Sequence, residues 1–250
     1  MKNRLLLGLL VVLVGCNHNQ YIYRAPMIHS QPFETKGDVF AAFGVNQLPG
    51  VQLGYAFHQH LGLVGGLHGE SLGTINRLYY TPDRSSLVAE TPFKQSRNGL
   101  EIGLVYFNKL STNWRWEVQA GFGRLDHKLE GEIPEALVNL PYDGPEMITP
   151  TYNRLYLQPS LGMQQKHLGW SFGFRAQQIR YLPEMVVIPY NDLVLEPFIQ
   201  LKGGFENVKG SFQMGTTYAI QNGAARYYTV HLGLGIQLQL NALALLGKNK

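Results

Sequence analysis

The chain has 250 residues, a formal net charge of +4 and a single cysteine, Cys16. This length suits one all-β domain, and a single cysteine excludes a disulfide within one molecule. The lysines and arginines are scattered, which gives little electrostatic basis for nucleic-acid binding, and no stretch beyond the first fifteen residues is apolar enough for a transmembrane helix.

The chain begins with a basic start at residues 2–4, an apolar run at 5–14 and a small residue, Gly15, before Cys16. This order is typical of a secretory signal peptide, because the apolar run is too short to span a bilayer. Leu13-Val14-Gly15-Cys16 also resembles a bacterial lipobox, in which the cysteine is acylated and the leader is cut before it. We predict a signal peptide at 1–15 and a lipidated Cys16. The alternatives are an ordinary signal peptide, a short buried helix, and a reactive or intermolecular thiol.

Residues 16–36 connect this cysteine to the first predicted strand. We predict that they form a flexible, lipidated periplasmic linker, and we favour this over a plug inside the following domain. The domain itself is predicted to span residues 37–250.

From residue 37 onward, apolar residues alternate with polar or small ones, which is the period of a strand with two different faces. The clearest strand is the last, in which every even position from Tyr228 to Leu240 is apolar. Similar segments begin near Val39, Val51, Leu61, Leu100, Trp116, Arg154, Trp170, Leu193 and Val208. About ten strands of this kind predict an all-β fold, an antiparallel up-and-down transmembrane β-barrel.

Short and long connections alternate between these strands. The short ones lie at 57–61, 108–113, 165–168 and 203–207, the long ones at 71–98, 126–150, 182–192 and 219–225, and a short link at 47–50 breaks the pattern. Outer-membrane barrels have short periplasmic turns and longer extracellular loops, so the long connections are predicted to be extracellular.

The three tryptophans, Trp114, Trp116 and Trp170, lie near short connections. Indole rings favour the boundary between membrane and water, so we predict that they form an interface girdle at the periplasmic rim. The alternative is that they are ordinary strand residues.

The polar face of the strands distinguishes a membrane barrel from a soluble one. In a soluble domain this face meets water and is rich in charge, whereas here Gly, Gln, Ser and Thr dominate it. Its charges are of both signs and can pair across a narrow lumen. The predicted lumen-facing charged residues are Glu101, Glu117, Arg154, Arg175, Glu196 and Lys202.

Pro159 and Pro197 argue against a closed barrel. A proline inside a strand removes a ladder hydrogen bond, and a closed barrel has no edge to accommodate it. The two prolines would mark bulges or, if they end strands, an open sandwich.

Together these features resemble the small outer-membrane β-barrel lipoproteins of Gram-negative bacteria. The matching pieces are the lipobox at Cys16, Tyr21, Tyr23 and Pro26, residues 32–38, Leu195-Glu196-Pro197 before Gly203-Gly204, and the last strand. The resemblance implies the fold and an outer-membrane location and supplies no activity. Residues 17–20 lack the acidic cluster that resembles a surface-export tag in some lipoproteins, so we expect the anchor in the inner leaflet of the outer membrane.

Candidate catalytic and metal-binding groups are few. Asp126-His127 is similar to the acid and histidine of outer-membrane proteases, but adjacent strand residues point to opposite faces. His58, His60 and His68 have a spacing that can bind a metal, yet the first two fall in a predicted turn, so solvated turn histidines are favoured. We predict no enzymatic site, no cofactor and no metal.

The sequence therefore favours a non-enzymatic, integral outer-membrane lipoprotein with a narrow lumen and a structural or surface-interaction role. Its expected partners are outer-membrane lipids, the acyl chains on Cys16 and an extracellular or periplasmic protein, with the long loops as the extracellular binding surface. The alternative is a lipid-anchored periplasmic β-barrel that binds an apolar ligand.

Overall fold

The computed structural model describes residues 26–30, 33–80, 87–130, 151–181, 191–221 and 224–243. The predicted leader, Cys16, the first part of the predicted linker and the connection at 131–150 lie outside these residues. No helix within the described ranges is long and apolar enough to cross a membrane.

The described residues form ten β-strands in one closed antiparallel barrel. The strands are β1 (Asp38–Val45), β2 (Pro49–Tyr55), β3 (Leu61–Tyr80), β4 (Leu87–Lys109), β5 (Trp114–Glu130), β6 (Tyr152–Gln164), β7 (Leu168–Tyr181), β8 (Asn191–Gly204), β9 (Val208–Gln221) and β10 (Ala224–Asn241). Each strand pairs with the next, and β1 pairs with β10 from Asp38 opposite Asn241 to Val45 opposite Leu234. The predicted up-and-down barrel of about ten strands is confirmed.

The apolar face of the strands points outward. In β10, Leu232, Leu234 and Ile236 are 43%, 67% and 55% exposed, whereas Gln237 is 3% exposed. Other strands repeat the pattern, with Leu, Ile, Val and Phe outside and Gln, Ser, Glu and Arg inside. A soluble barrel has the opposite arrangement, because removal of apolar surface from water drives its folding.

The two ends of the barrel differ in their connections. We call the end that carries Asp38, Asn241 and the turns at 56–60, 110–113, 165–167 and 205–207 the terminal rim. The other end, the loop rim, carries the connections at 46–48, 81–86, 131–151, 182–190 and 222–223. Four of the five short predicted connections therefore lie at the terminal rim, and the fifth, at 47–50, lies at the loop rim.

Two predicted long connections are shorter in the structure. β3 continues to Tyr80 and β4 starts at Leu87, so most of the predicted loop at 71–98 is a paired ribbon. Its register shifts between Ser71 and Thr74, which interrupts the two-residue period on which the sequence prediction rested. The predicted loop at 219–225 is a tight link, because β9 and β10 pair up to Gln221 and Ala224.

Pro159 and Pro197 lie inside β6 and β8 and do not end them. Pro159 stays opposite Val118 of β5, while the ladder to β7 is interrupted between Leu157 and Ser160. The ladder from β8 to β9 is interrupted in the same way around Pro197, and in both cases the register is the same on either side. Each proline therefore removes local pairing without the predicted bulge and without opening the barrel.

Two apolar layers lie inside the barrel, one near each end. The terminal-rim cluster consists of Phe33, Phe40, Ala42, Ala56, Val64, Val105 and Phe107. The loop-rim cluster consists of Leu48, Leu125, Tyr152, Ile179, Val194 and Ala219. Polar and charged side chains fill the space between them, so the barrel has a packed interior with a polar middle.

Candidate functional site

The polar middle of the lumen is centred on Glu101 of β4. Nη2 of Arg154 donates a hydrogen bond to Oε2 of Glu101 over 2.6 Å, and Nη1 of Arg175 lies 3.7 Å from the same oxygen. Nε2 of Gln52 donates to the other carboxylate oxygen over 3.3 Å. One buried carboxylate therefore faces two buried guanidinium groups, an arrangement in which each charge depends on its partners.

Arg175 has further partners that fix its position. Its Nε donates to Oε1 of Gln158 over 2.8 Å, and its guanidinium carbon lies 4.7 Å from the centroid of the Tyr156 ring. Nε2 of Gln119 donates to the Tyr156 hydroxyl over 2.8 Å. These contacts connect the neighbouring strands β5, β6 and β7 on the inner face of the wall and hold the cationic group over an aromatic face.

All six charged residues predicted to face the lumen lie inside the barrel and are at most 4% exposed. Besides the Glu101 group, the hydroxyl of Ser160 donates to Glu117 over 3.1 Å, and the hydroxyl of Thr217 donates to Glu196 over 3.3 Å. Lys202 donates to the main-chain oxygen of Ser30. Side-chain bonds in the lumen thus involve seven strands, β2 and β4 to β9.

The chain before β1 also lies in the lumen, although the sequence predicted that it forms a periplasmic linker. We call residues 26–33 the lumen segment, of which all but 31 and 32 are described. Ile28 and Ser30 are fully buried, and Phe33 is 1% exposed. We expected a flexible linker here, but the structure differs because these residues have apolar and hydrogen-bonding partners inside the barrel.

Wall side chains bind the main chain of the lumen segment. Gln200 of β8 uses both ends of its amide: its Nε2 donates to the Ile28 oxygen over 3.0 Å, and its Oε1 accepts from the Ser30 nitrogen over 3.3 Å. Oε1 of Gln213 accepts from the Ile28 nitrogen over 2.9 Å. The Ser30 hydroxyl lies 2.5 Å from that of Ser171. The wall therefore satisfies the polar groups of an extended chain, as a neighbouring strand would.

Glycines in the wall leave room for the apolar side chains of the lumen segment. An added Cβ at Gly235 would lie 2.9 Å from the sulfur of Met27, and one at Gly54 would lie 2.8 Å from Cζ of Phe33. Phe33 also contacts the rings of Phe40 and Phe107, with centroids 5.5 and 5.6 Å away. Sequence reasoning missed this role because it treated strand glycines only as small residues on a curved wall.

A tight turn at the terminal rim joins the lumen segment to β1. The carboxylate of Asp38 accepts from the main-chain nitrogens of Glu34 and Thr35 over 2.6 and 2.9 Å. Gly37 has a φ of 89°, a conformation that favours glycine. The chain thus reverses direction between Phe33 and Asp38.

An ion pair fixes this turn to the wall. Nη2 of Arg115 lies 2.8 Å from Oε2 of Glu34. Burial raises the pKa of Glu34, but the hydrogen bond and charge of Arg115, together with the charges of Lys109 and Lys209, outweigh burial, so the pKa lies below its usual value. Glu34 is therefore ionised at neutral pH and is available to hold the turn.

The three tryptophans lie on the outer face near the terminal rim and are half-buried. The rings of Trp114 and Trp170 meet edge to face with centroids 5.2 Å apart, and Trp116 lies 5.3 Å from Tyr106. These contacts join β4, β5 and β7 into an aromatic band on the outside of the barrel.

The three histidines with metal-ligand spacing are separated in the structure. His58 and His60 lie in the turn between β2 and β3, whereas His68 lies inside the barrel beside Arg154. Within the described part of the chain, no group of three or more His, Cys, Asp or Glu is placed to hold a metal. Asp126 lies at the loop rim paired with Arg124, and the side chain of His127 lies outside the described residues.

The structure resembles solved outer-membrane proteins. OmpT, an outer membrane protein of Vibrio cholerae, has a TM-score of 0.36 and 10% identity over 83% of this chain and 62% of that chain. The KdgM porin in complex with disordered oligogalacturonate has a TM-score of 0.32 and 11% identity, over 80% of this chain and 98% of that one. This chain thus spans less than two thirds of the Vibrio protein. No protein-family model and no curated protein matches the sequence.

The prediction that the protein is not an enzyme is contradicted. The outer membrane protease OmpT of Escherichia coli is among the similar structures, with a TM-score of 0.36 and 11% identity over 82% of this chain and 94% of that chain. A fold does not determine whether a protein is an enzyme, because activity depends on particular side chains. A barrel fold without a recognised motif is therefore no ground for excluding catalysis.

Proposed function

We propose that the protein is an integral outer-membrane β-barrel lipoprotein, acylated at Cys16 after removal of a signal peptide, with a structural or surface-interaction role. The observation that carries this proposal is the inverted arrangement of the barrel, apolar outside and charged inside. A band of exposed Leu, Ile, Val and Phe around a barrel is unfavourable in water and favourable in the hydrocarbon of a membrane.

The two rims support an orientation with the loop rim outside the cell. Every turn at the terminal rim is short, whereas the longest connections, at 131–151 and 182–190, join strands at the loop rim, as at the periplasmic and extracellular ends of outer-membrane barrels. The band of Trp114, Trp116 and Trp170 would then mark the periplasmic membrane interface, where indole rings are favoured. Outer-membrane lipids are the partners of the apolar wall in this proposal.

The long ribbon of β3 and β4 supports a surface-interaction role. These strands have 20 and 23 residues, whereas a tilted strand crosses a membrane in about 9–11 residues. Their loop-rim halves therefore extend beyond the bilayer in this orientation and would offer a surface to an extracellular protein. The packed lumen supports this role over bulk solute flow.

The alternative of a periplasmic barrel that binds an apolar ligand has little support from the lumen. Its middle holds paired charges, and the lumen segment occupies its length. An apolar ligand would have to displace hydrogen-bonded chain and desolvate charged groups.

Fractionation of a variant without the acyl chain tests the proposal. The leader and Cys16 are replaced by a leader that ordinary signal peptidase removes, so that the exported chain starts at Asn17. We expect this chain to remain in the outer membrane after a carbonate wash and to require detergent for extraction. Release of the variant into the aqueous fraction, with the acylated parent retained, would favour the periplasmic alternative.

A further inference from the structure

The direction of the lumen segment determines the rim at which the preceding chain leaves the barrel. At its first described residue, Pro26 forms a parallel bridge with Leu48. Leu48 lies in the link between β1 and β2 and belongs to the loop-rim cluster. Pro26 is therefore at the loop rim.

The next residues descend through the lumen. Met27 packs against Gly44 and Gly235, which pair with each other near the end of β1. Ile28 and Ser30 bind Gln200 and Gln213 in the polar middle.

The last part of the segment reaches the opposite end. Phe33 packs in the terminal-rim cluster, and the Asp38 turn then reverses the chain into β1. The lumen segment thus crosses the barrel from the loop rim to the terminal rim, antiparallel to β1.

We infer that the N-terminal tail is threaded through the barrel and leaves it at the loop rim, on the side of the membrane opposite to the end of β10. The wall is closed on all sides, so the tail cannot pass between strands, and the lumen is already filled by the segment and its partners. With acylation at Cys16, which rests on the proposed function, the acyl chains would enter the leaflet next to the loop rim.

The length of the tail is compatible with this placement. Cys16 lies ten positions before Pro26, and an extended chain spans at most about 3.3–3.6 Å per residue. That reach is sufficient to carry the cysteine from the lumen opening over the rim to the surrounding lipid. In the proposed orientation this is the outer leaflet, instead of the inner leaflet expected from residues 17–20.

Thiol labelling in intact cells tests the threading. Three full-length variants carry one added cysteine each: Gln20→Cys in the tail, Asp126→Cys at the loop rim and Asn207→Cys in a terminal-rim turn. Asp126 and Asn207 are accessible to solvent in the structure, so they serve as references for the two sides. The probe is a membrane-impermeant maleimide, applied before and after permeabilisation of the outer membrane.

We expect Gln20→Cys to be labelled to the same extent as Asp126→Cys in intact cells, with Asn207→Cys labelled only after permeabilisation. If Gln20→Cys instead follows Asn207→Cys, the threading is wrong. If the barrel has the reverse orientation, Asp126→Cys and Gln20→Cys will both require permeabilisation, which contradicts the proposed orientation and supports the threading.

Acylation is read separately in the same strains by incorporation of an alkyne fatty acid, with Cys16→Ala as the control. Acylation of Cys16 with a tail that labels like Asn207→Cys would contradict the threading alone. Absence of acylation with a tail that labels like Asp126→Cys would contradict the lipoprotein proposal alone.

Discussion

Replacing Glu101 with glutamine is expected to lower the free energy of unfolding by about 3–5 kcal/mol, the usual cost of breaking a buried ion pair. The substitution keeps the shape of the side chain and removes the negative charge that faces both Arg154 and Arg175. Two guanidinium groups would then remain in the lumen without this counter-charge. Urea unfolding of the barrel from lipid vesicles, followed by tryptophan fluorescence, measures the change.

Glu206→Gln is the matched control. Glu206 forms an exposed pair with Lys166 over 3.3 Å in the terminal-rim turns, and exposed pairs contribute about 0–1 kcal/mol. We expect the unfolding midpoint of this variant to stay close to that of the parent. Equal effects of the two substitutions would contradict the role of Glu101 as the centre of the lumen charges.

A double variant separates the loss of charge balance from the loss of shape. Adding Arg154→Gln to Glu101→Gln removes one of the two cations that face position 101 and is expected to recover part of the lost stability. The double variant could instead lose more free energy of unfolding than the two single variants, Glu101→Gln and Arg154→Gln, lose together. That result would show that Arg154 acts mainly through other partners, such as Gln177.

The second large effect is expected on the outer face. Leu234→Arg is predicted to lower the free energy of folding into lipid vesicles by about 2–4 kcal/mol, because Leu234 is near the middle of β10 and faces hydrocarbon in the proposed orientation. Leu110→Arg is the control: Leu110 is equally prominent, with 61% exposure against 67%, but lies in a turn at the terminal rim. There the predicted cost is about 0–1 kcal/mol.

The pair of arginine variants also distinguishes the two classes of barrel. In a soluble barrel an arginine in place of an exposed leucine is neutral or favourable, because it replaces apolar surface that meets water. Insensitivity of the barrel to Leu234→Arg would therefore argue against insertion in a membrane.

The strand pattern of the barrel was predictable from the sequence because its physical cause is local. In β10, side chains alternate between two different environments, and the sequence records this as leucine and isoleucine opposite glycine and glutamine. Ladder interruptions at Pro159 and Pro197 could not be predicted in this way, since their effect depends on which neighbouring strand loses the hydrogen bond.

The lumen segment was missed because its partners are far away in the chain. The bonds from Gln200 and Gln213 to Ile28 join residues more than 170 positions apart, and no local period records them. One signal was present: Met27, Ile28 and Phe33 are apolar, whereas a solvated linker is rich in polar residues. Apolar residues before the first strand, together with many glycines in the barrel wall, indicate a segment that packs inside the barrel.

The threaded segment and the inverted barrel are consistent with each other. The polar middle of the lumen binds the main chain of Ile28 and Ser30, and the apolar layer at the terminal rim contains Phe33. The segment therefore adds core packing to a barrel whose wall residues alone leave glycine-lined space.

The outward direction of the apolar face is tested most directly by spin labels on the barrel reconstituted in lipid vesicles, in a Cys16→Ala background. Labels at Leu234→Cys and Leu110→Cys are compared by power saturation with oxygen, which concentrates in hydrocarbon, and with a nickel chelate, which stays in water. We predict that the label at position 234 collides mainly with oxygen and the label at 110 mainly with nickel. Equal access of nickel to both positions would contradict a lipid-facing wall.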